Sequence, residues 1–75
     1  MQIDEILSRD PEVMSGAVVF KGTRVPVAGL FEYLSAGDTL DMFLFDFPTV
    51  ERSQAEAAIL MAGEDLERLV EKRAA

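Results

Sequence analysis

The side chains that most often carry out enzymatic and metal chemistry are missing from this chain. It has no histidine and no cysteine, so it lacks the usual general base, the thiolate nucleophile and the ligands that zinc prefers. The serines Ser8, Ser15, Ser35 and Ser53 have no base partner at a recognisable spacing. The acidic residues lie at helix ends and on solvated faces. We therefore predict no enzymatic activity, no catalytic residue, no metal site and no cofactor.

The most distinctive polar stretch is Lys21-Gly22-Thr23-Arg24. Gly22 allows a backbone shape that other residues resist, and Lys21 and Arg24 put two positive charges on the resulting turn. These charges could contact phosphate or a partner. Alternatively, the stretch is an ordinary turn that ties this part of the chain to the helices. Its single glycine does not have the spacing of a phosphate-binding loop.

Two short helices joined through residues 48–50 fit the outline of a helix-turn-helix. In that motif the first residues of the following helix enter the major groove of DNA. Glu51 and Glu56 flank this region and repel phosphate, so a plain packing unit that binds no nucleic acid is the alternative. Together with the basic turn, the candidate DNA-binding residues are Lys21, Arg24, Arg52, Ser53 and Gln54.

The segment 40–47 is apolar on nearly all sides. Phe43 and Leu44 can face a core, but Met42 and Phe45 fall on other sides of the same helix. The domain could wrap the helix completely. In so short a chain we instead expect Met42 and Phe45 to form an interface with another molecule, first of all in self-association.

Local signals delimit the helices of the central segment. Pro26 opens the first helix, and Gly37 ends it. Thr39 can cap the second helix, which must stop at Pro48. The core face of the first helix follows a spacing of three and four residues through Val27, Leu30, Phe31 and Leu34.

A third helix begins between residues 51 and 53, where Ser53 and Glu56 have the spacing of a capping box. Gly63 could kink it or split it. Beyond Gly63 an apolar face continues, and we expect other residues to pack against it. These could belong to a partner protein, to Val27, Leu30 and Leu34 of the same chain, or to a second subunit. The complete stripe comprises Ala55, Ala58, Ile59, Ala62, Leu66, Leu69 and Val70.

The N-terminal part combines two patterns. Residues 17–20 are typical of a strand, and residues 24–26 leave the following turn in an extended form. The apolar side chains of Ile3, Ile6 and Leu7 fit either a strand or a helical turn. We predict one mainly α domain, a three- or four-helix homeodomain-like or helix-turn-helix fold with a short N-terminal β-arm. Its parts are an arm or hairpin (1–25), a helical core (26–62) and a C-terminal helix extension (63–75).

Composition predicts association. Of the 75 residues, 49% are hydrophobic, and no cysteine is present to stabilise so small a core through a disulfide. We therefore expect a homodimer. The net charge of −7 opposes autonomous DNA binding, because nucleic-acid binders are usually basic. No apolar run reaches the roughly 20 residues of a membrane helix, and the start of the chain lacks a basic signal region, which favours a cytoplasmic location.

The order of several motifs resembles a known family, domain of unknown function 433, from about residue 3 to residue 62. The motifs are Asp10-Pro11-Glu12-Val13, Gly16, Val18-Val19-Phe20-Lys21-Gly22-Thr23-Arg24-Val25-Pro26-Val27, Ala36-Gly37, Phe47-Pro48 and Ala57-Ala58. The Gly-Thr-Arg-Val-Pro-Val block is the most specific. The resemblance implies a winged-helix or homeodomain-like helix-turn-helix and the role of an antitoxin, often encoded beside a nuclease-like toxin of the PIN type.

The sequence departs from this family pattern at three places. Ala17 and Val18 follow Gly16 where a Lys-Pro pair is usual. Met42 and Phe45 stand where acidic residues are usual, and Val50-Glu51 replaces a Leu-Thr pair. The changes make this region more apolar and more acidic, which favours a protein partner over DNA.

We therefore expect an antitoxin that binds and neutralises a nuclease-like toxin. Binding to its own operator DNA is a further expected activity, weak for the protein alone. The alternative is an interaction or dimerisation module that keeps the fold without binding DNA. The expected interface residues are Met42 and Phe45 for self-association, and Leu66, Leu69 and Val70 for the toxin.

Overall fold

Four helices and one two-stranded antiparallel sheet make up residues 2–74, the part of the chain that the computed structural model describes. The expected mainly helical domain with a small β-structure near its N-terminus is confirmed. In chain order the elements are α1 (Ile3–Ile6), β1 (Leu7–Arg9), a 3-10 turn (Met14–Gly16), β2 (Val18–Phe20), α2 (Val27–Ser35), α3 (Leu40–Asp46) and α4 (Arg52–Ala74).

The sheet joins the N-terminal segment to the core. Leu7 of β1 lies opposite Phe20 of β2, and Val19 and Phe20 are buried. After the turn, the chain returns along β2: the Phe20 N–H donates to the Val25 carbonyl at 3.0 Å, and Val19 forms an isolated bridge with Pro26. The apolar residues at the start of the chain form both of the expected patterns in succession, one helical turn and then a strand.

The ends of α2 and α3 follow their capping residues. Gly37 comes directly after the C-cap of α2 and has a positive φ of 91°, a conformation that costs glycine little. The Thr39 hydroxyl accepts a hydrogen bond from the Met42 N–H at 3.1 Å at the start of α3. This helix ends at Asp46, ahead of Pro48. The predicted limits of both helices are confirmed.

Aromatic rings organise the core. Phe43 of α3 is fully buried beside Phe20, with ring centroids 6.1 Å apart. Tyr33 packs edge-on against it at 5.4 Å, and Phe47 lies at 5.0 Å. Such tilted and edge-to-face pairs are the favoured arrangements of aromatic quadrupoles. The buried hydrophobic cluster comprises Phe20, Leu30, Phe43, Val50, Ala55 and Ala58.

The start of α4 lies within the predicted range, but the predicted capping box is wrong. The Glu51 N–H donates to the Gln54 Oε1 at 3.0 Å, so Gln54 serves the free N–H group just ahead of the helix. Ser53 instead lies inside the first turn and Glu56 beyond it. The helix begins directly after Glu51 rather than after Ser53, so this hydrogen bond lies two residues earlier in the chain than the predicted pair.

Gly63 does not interrupt α4, which continues to the end of the described chain. A helix of 23 residues is about 34 Å long at 1.5 Å per residue. The radius of gyration is 13.2 Å, compared with about 11 Å for a compact chain of this length. The difference follows from the C-terminal half of α4, whose residues 63–73 are all exposed.

Candidate protein-interaction surfaces

The outer side of α3 presents an apolar pair to solvent. Successive residues of an α-helix are rotated by roughly 100°, so Phe43 points into the core while Met42 and Phe45 point away from it. Their exposed fractions are 49% and 80%. On the helix surface this pair lies between Asp41 and Asp46. We call these four residues, Asp41, Met42, Phe45 and Asp46, the α3 face.

The α3 face has an acidic surrounding. Arg52 contacts Asp41 through a charge-assisted hydrogen bond and lies 4.0 Å from a carboxylate oxygen of Glu56. The guanidinium is thus shared between two carboxylates. Asp38 and Asp46 lie near Tyr33 on the other border and act together on its electrostatics. Four carboxylates against one cation leave this surface negative, in line with the chain as a whole.

Tyr33 fixes one border of the α3 face. Its hydroxyl donates to the Asp46 Oδ2 at 2.7 Å, a bond between α2 and α3. This hydrogen bond raises the pKa of Tyr33, with further contributions from desolvation and from the negative charges of Asp46 and Asp38. The hydrogen bond therefore ties the Asp46 carboxylate, which borders the apolar pair, to α2.

A second exposed apolar surface lies on the C-terminal half of α4. Leu66, Leu69 and Val70 are 64%, 56% and 67% exposed. They continue the helix face on which Ala55 and Ala58 are buried, as the sequence predicts. We call Leu66, Leu69 and Val70 the α4 stripe. The alternative that Val27, Leu30 and Leu34 cover this stripe within the same chain is wrong, because the helix extends beyond them.

A groove opens where α4 leaves the body of the domain. It has a volume of about 410 Å³, and its sides come from α1, β1, α2 and α4. Glu64, Asp65 and Arg68 stand at the end of the groove that is continuous with the α4 stripe. The sequence alone does not reveal this groove, because its walls come from four separate segments of the chain. Its apolar lining residues are Ile3, Leu7, Val27, Phe31, Ala58, Met61 and Ala62.

The candidate DNA-binding residues form two groups. The Gln54 side-chain amide donates to the Lys21 carbonyl at 3.1 Å, so the basic turn lies against the first turn of α4. Lys21 directs its ammonium to the Asp4 carbonyl at 2.9 Å. Arg24 lies exposed in the same turn, and Ser53 is exposed on α4. Arg52 belongs to the other group, because its guanidinium turns toward the carboxylates of α3 and α4.

The comparison with protein families gives one match. The family model described as "Protein of unknown function (DUF433)" matches residues 7–62. The chain belongs to this family. The solved structure of a DUF433 member protein from Anabaena variabilis is similar, with a TM-score of 0.70 and 22% sequence identity. The similarity covers 97% of this chain and 72% of that one. No curated protein matches the chain.

The two surfaces differ in their relation to the DUF433 match. The α3 face lies inside the matched range, whereas the α4 stripe lies beyond residue 62. Since the Anabaena variabilis structure covers nearly the whole chain, the fold that the two DUF433 proteins share extends into the second half of α4. Within residues 2–74 there is no group of three or more potential metal ligands. In the same range, no helix has the length and apolar character needed to span a bilayer.

Proposed function

We propose that this protein is a non-catalytic antitoxin that binds and neutralises a nuclease-like toxin, and that the α3 face contacts a basic surface of that toxin. The observation that carries the proposal is the exposed pair Met42 and Phe45 between two carboxylates on a helix capped by Thr39. The antitoxin role itself comes from the family resemblance described above.

The α3 face has the composition of a binding surface for a basic protein. Burying an apolar side chain such as Met42 or Phe45 is worth roughly 1.5–3 kcal/mol, and aromatic anchors dominate many interfaces. Nucleases need positive charge where they hold the phosphate backbone. The acidic border and the net charge of −7 favour encounter with such a surface. Occupying it would also block the nucleic-acid substrate.

The carboxylates of the α3 face favour the toxin, rather than a second copy of this chain, as the molecule bound there. The sequence-based expectation was the reverse. Self-association through α3 would bring Asp41 and Asp46 of one copy near the same residues of another, and like charges across an interface are unfavourable. A basic partner meets no such repulsion. We therefore assign the toxin to the α3 face instead of the α4 stripe.

Operator binding is the weaker part of the proposed function. Arg52 already pairs with Asp41 and Glu56, and the Lys21 ammonium is bonded to a carbonyl. Both cations of the basic turn are exposed, and Arg24 is the better placed of the two to contact phosphate because the Lys21 ammonium already has a partner. These contacts support the alternative in which the protein alone is an interaction module, and in which DNA binding by the pair depends on charges that the toxin supplies.

The proposed toxin is the product of a nuclease-like reading frame beside this gene, which the family resemblance leads us to expect. Its RNA cleavage is measured against increasing concentrations of this protein. We expect the wild-type protein to inhibit, and the double variant Met42→Glu, Phe45→Glu to inhibit at least about 30-fold more weakly, equivalent to a loss of about 2 kcal/mol. The variant is more acidic, so weaker inhibition isolates the apolar contact from the electrostatic attraction.

The control is Leu60→Glu, which adds one negative charge at a leucine of α4 that is 69% exposed and lies outside the α3 face. It should inhibit like the wild type. Full inhibition by the α3 double variant would exclude the α3 face as the binding surface. The absence of any nuclease-like reading frame beside the gene would contradict the antitoxin role.

A further inference from the structure

The balance of charge along the second half of α4 changes sign with position. Residues 64–68 carry Glu64, Asp65 and Glu67 against Arg68, whose guanidinium donates to the Asp65 Oδ1 at 2.8 Å. Residues 71–73 carry Lys72 and Arg73 against Glu71. The α4 stripe lies between these two groups on an exposed helix face. The helix therefore presents a short apolar strip with an acidic end and a basic end, both accessible to another molecule.

We propose that the α4 stripe packs against the α4 stripe of a second copy, with the two helices antiparallel about a twofold axis near residue 68. An antiparallel pair brings the acidic end of each helix beside the basic end of the other. A parallel pair would place like charges side by side over the same length. The apolar strip of three residues is self-complementary, as a twofold interface requires.

The spacing of the residues fits this arrangement in detail. Ala62, Leu66 and Leu69 follow one another at intervals of four and three residues, which is the spacing of a coiled-coil seam. In the antiparallel register, Leu66 of one copy packs beside Leu69 of the other. Asp65 and Lys72 flank this seam on the same side, seven residues apart, so that Asp65 of each copy faces Lys72 of the other.

The groove extends the proposed contact. In this register the basic end of each second-copy helix reaches the level of residues 62–64, where the groove opens between α4 and α2. Glu64 and Asp65 border that opening, and Phe31 and Met61 line its interior. The end of one α4 therefore covers apolar surface on the body of the other copy, in addition to the α4 stripe.

This dimer leaves the α3 face free. Met42 and Phe45 lie on another helix and take no part in the α4 pair, so each subunit can bind a toxin whether or not the dimer forms. Loss of toxin binding and loss of dimerisation are consequently separate outcomes. The proposal does not depend on the identity of the toxin.

Sedimentation equilibrium of the full chain tests the apolar contact. We expect the wild-type protein to be dimeric at micromolar concentrations, and Leu66→Glu combined with Leu69→Glu to be monomeric. Leu60→Glu, on a different side of α4, should remain dimeric. Circular dichroism should give the same helix content for all three proteins, because the buried residues of the domain precede residue 59. A wild-type protein that is monomeric at high micromolar concentration would overturn the proposal.

A charge exchange tests the orientation. Asp65→Lys puts lysine opposite Lys72 of the second copy, and Lys72→Asp puts aspartate opposite Asp65, so each variant alone should self-associate about tenfold more weakly. An equimolar mixture of the two variants pairs every lysine with an aspartate and should recover the wild-type affinity. Combining both changes in one chain should also restore self-association. Dimers that do not weaken in the single variants, or a mixture that does not recover, would exclude the antiparallel pair.

Discussion

The Tyr33 hydroxyl and the Asp46 carboxylate join α2 to α3 through a hydrogen bond of 2.7 Å between Oη and Oδ2. The bond raises the pKa of Tyr33 above its ordinary value, because the phenolate would lose the donor proton and meet a negative charge. Tyr33 is the single tyrosine of the chain, which also has no tryptophan. Alkaline titration of the tyrosine absorbance therefore reports on this residue alone.

We expect that titration to give a pKa above about 10, the value of an unperturbed tyrosine, and Asp46→Asn to lower it toward that value. Asp38→Asn should lower it less, since Asp38 acts only through its charge. A titration curve that is identical in the wild type and in Asp46→Asn would show that the hydrogen bond does not persist in solution.

The same bond has a defined effect on stability as the pH changes. Because the pKa is higher in the folded chain than in the unfolded chain, the stabilisation is complete below the unfolded pKa and is lost as the pH rises through the folded pKa. Urea unfolding should therefore show a Tyr33-dependent decrease in stability only above about pH 10. In Tyr33→Phe this alkaline component should disappear.

Two phenylalanines of one helix provide a paired test of the fold. Phe43 is fully buried among aromatic rings, whereas Phe45 is mostly exposed. Phe43→Ala should cost about 3–5 kcal/mol in free energy of unfolding, enough to unfold much of so small a domain. Phe45→Ala should change that free energy by less than about 0.5 kcal/mol. Urea denaturation followed by circular dichroism measures both, and equal effects would contradict the orientation of α3.

Truncation after Gly63 separates the two interaction surfaces. The buried core residues lie between Ile6 and Ala58, so the shortened chain should remain folded by circular dichroism. It should lose self-association, because Leu66 and Leu69 are removed, and it should still inhibit the nuclease. Loss of inhibition with retained folding would instead assign the toxin to the α4 stripe, as the sequence-based expectation has it.

DNA binding can be tested through its salt dependence. A duplex that covers the DNA upstream of the gene is titrated with the protein at several salt concentrations. Removing a side chain that contacts phosphate lowers the slope of log affinity against log salt by about 1. We expect this change for Arg24→Ala and a smaller one for Arg52→Ala, because Arg52 is already paired. A full change of slope in Arg52→Ala would mean that its guanidinium leaves Asp41 to bind DNA.

The sequence by itself determined those parts of the fold that depend on neighbouring residues. Gly37 and Thr39 act within one turn of the helix ends that they define, and Pro48 excludes helix at its own position. The periodicity of α4 is likewise local, since a residue's position on a helix face follows from its number alone. The family motifs and the absence of histidine and cysteine also needed no tertiary information.

The tertiary structure decided which groups meet when they are far apart in the chain. By their sequence alone, residues 3–7 fit a strand and a helix equally well. The pairing of β1 with β2 decides where the helical turn ends and the strand begins, and such pairing joins residues that are distant in the chain. Arg52 could face DNA or protein until the packing of α3 placed Asp41 beside it. The caps could not show whether the α4 stripe is covered. Whether the stripe is covered depends on how far the rest of the domain extends along α4. A side chain is buried only where residues from other parts of the chain pack against it.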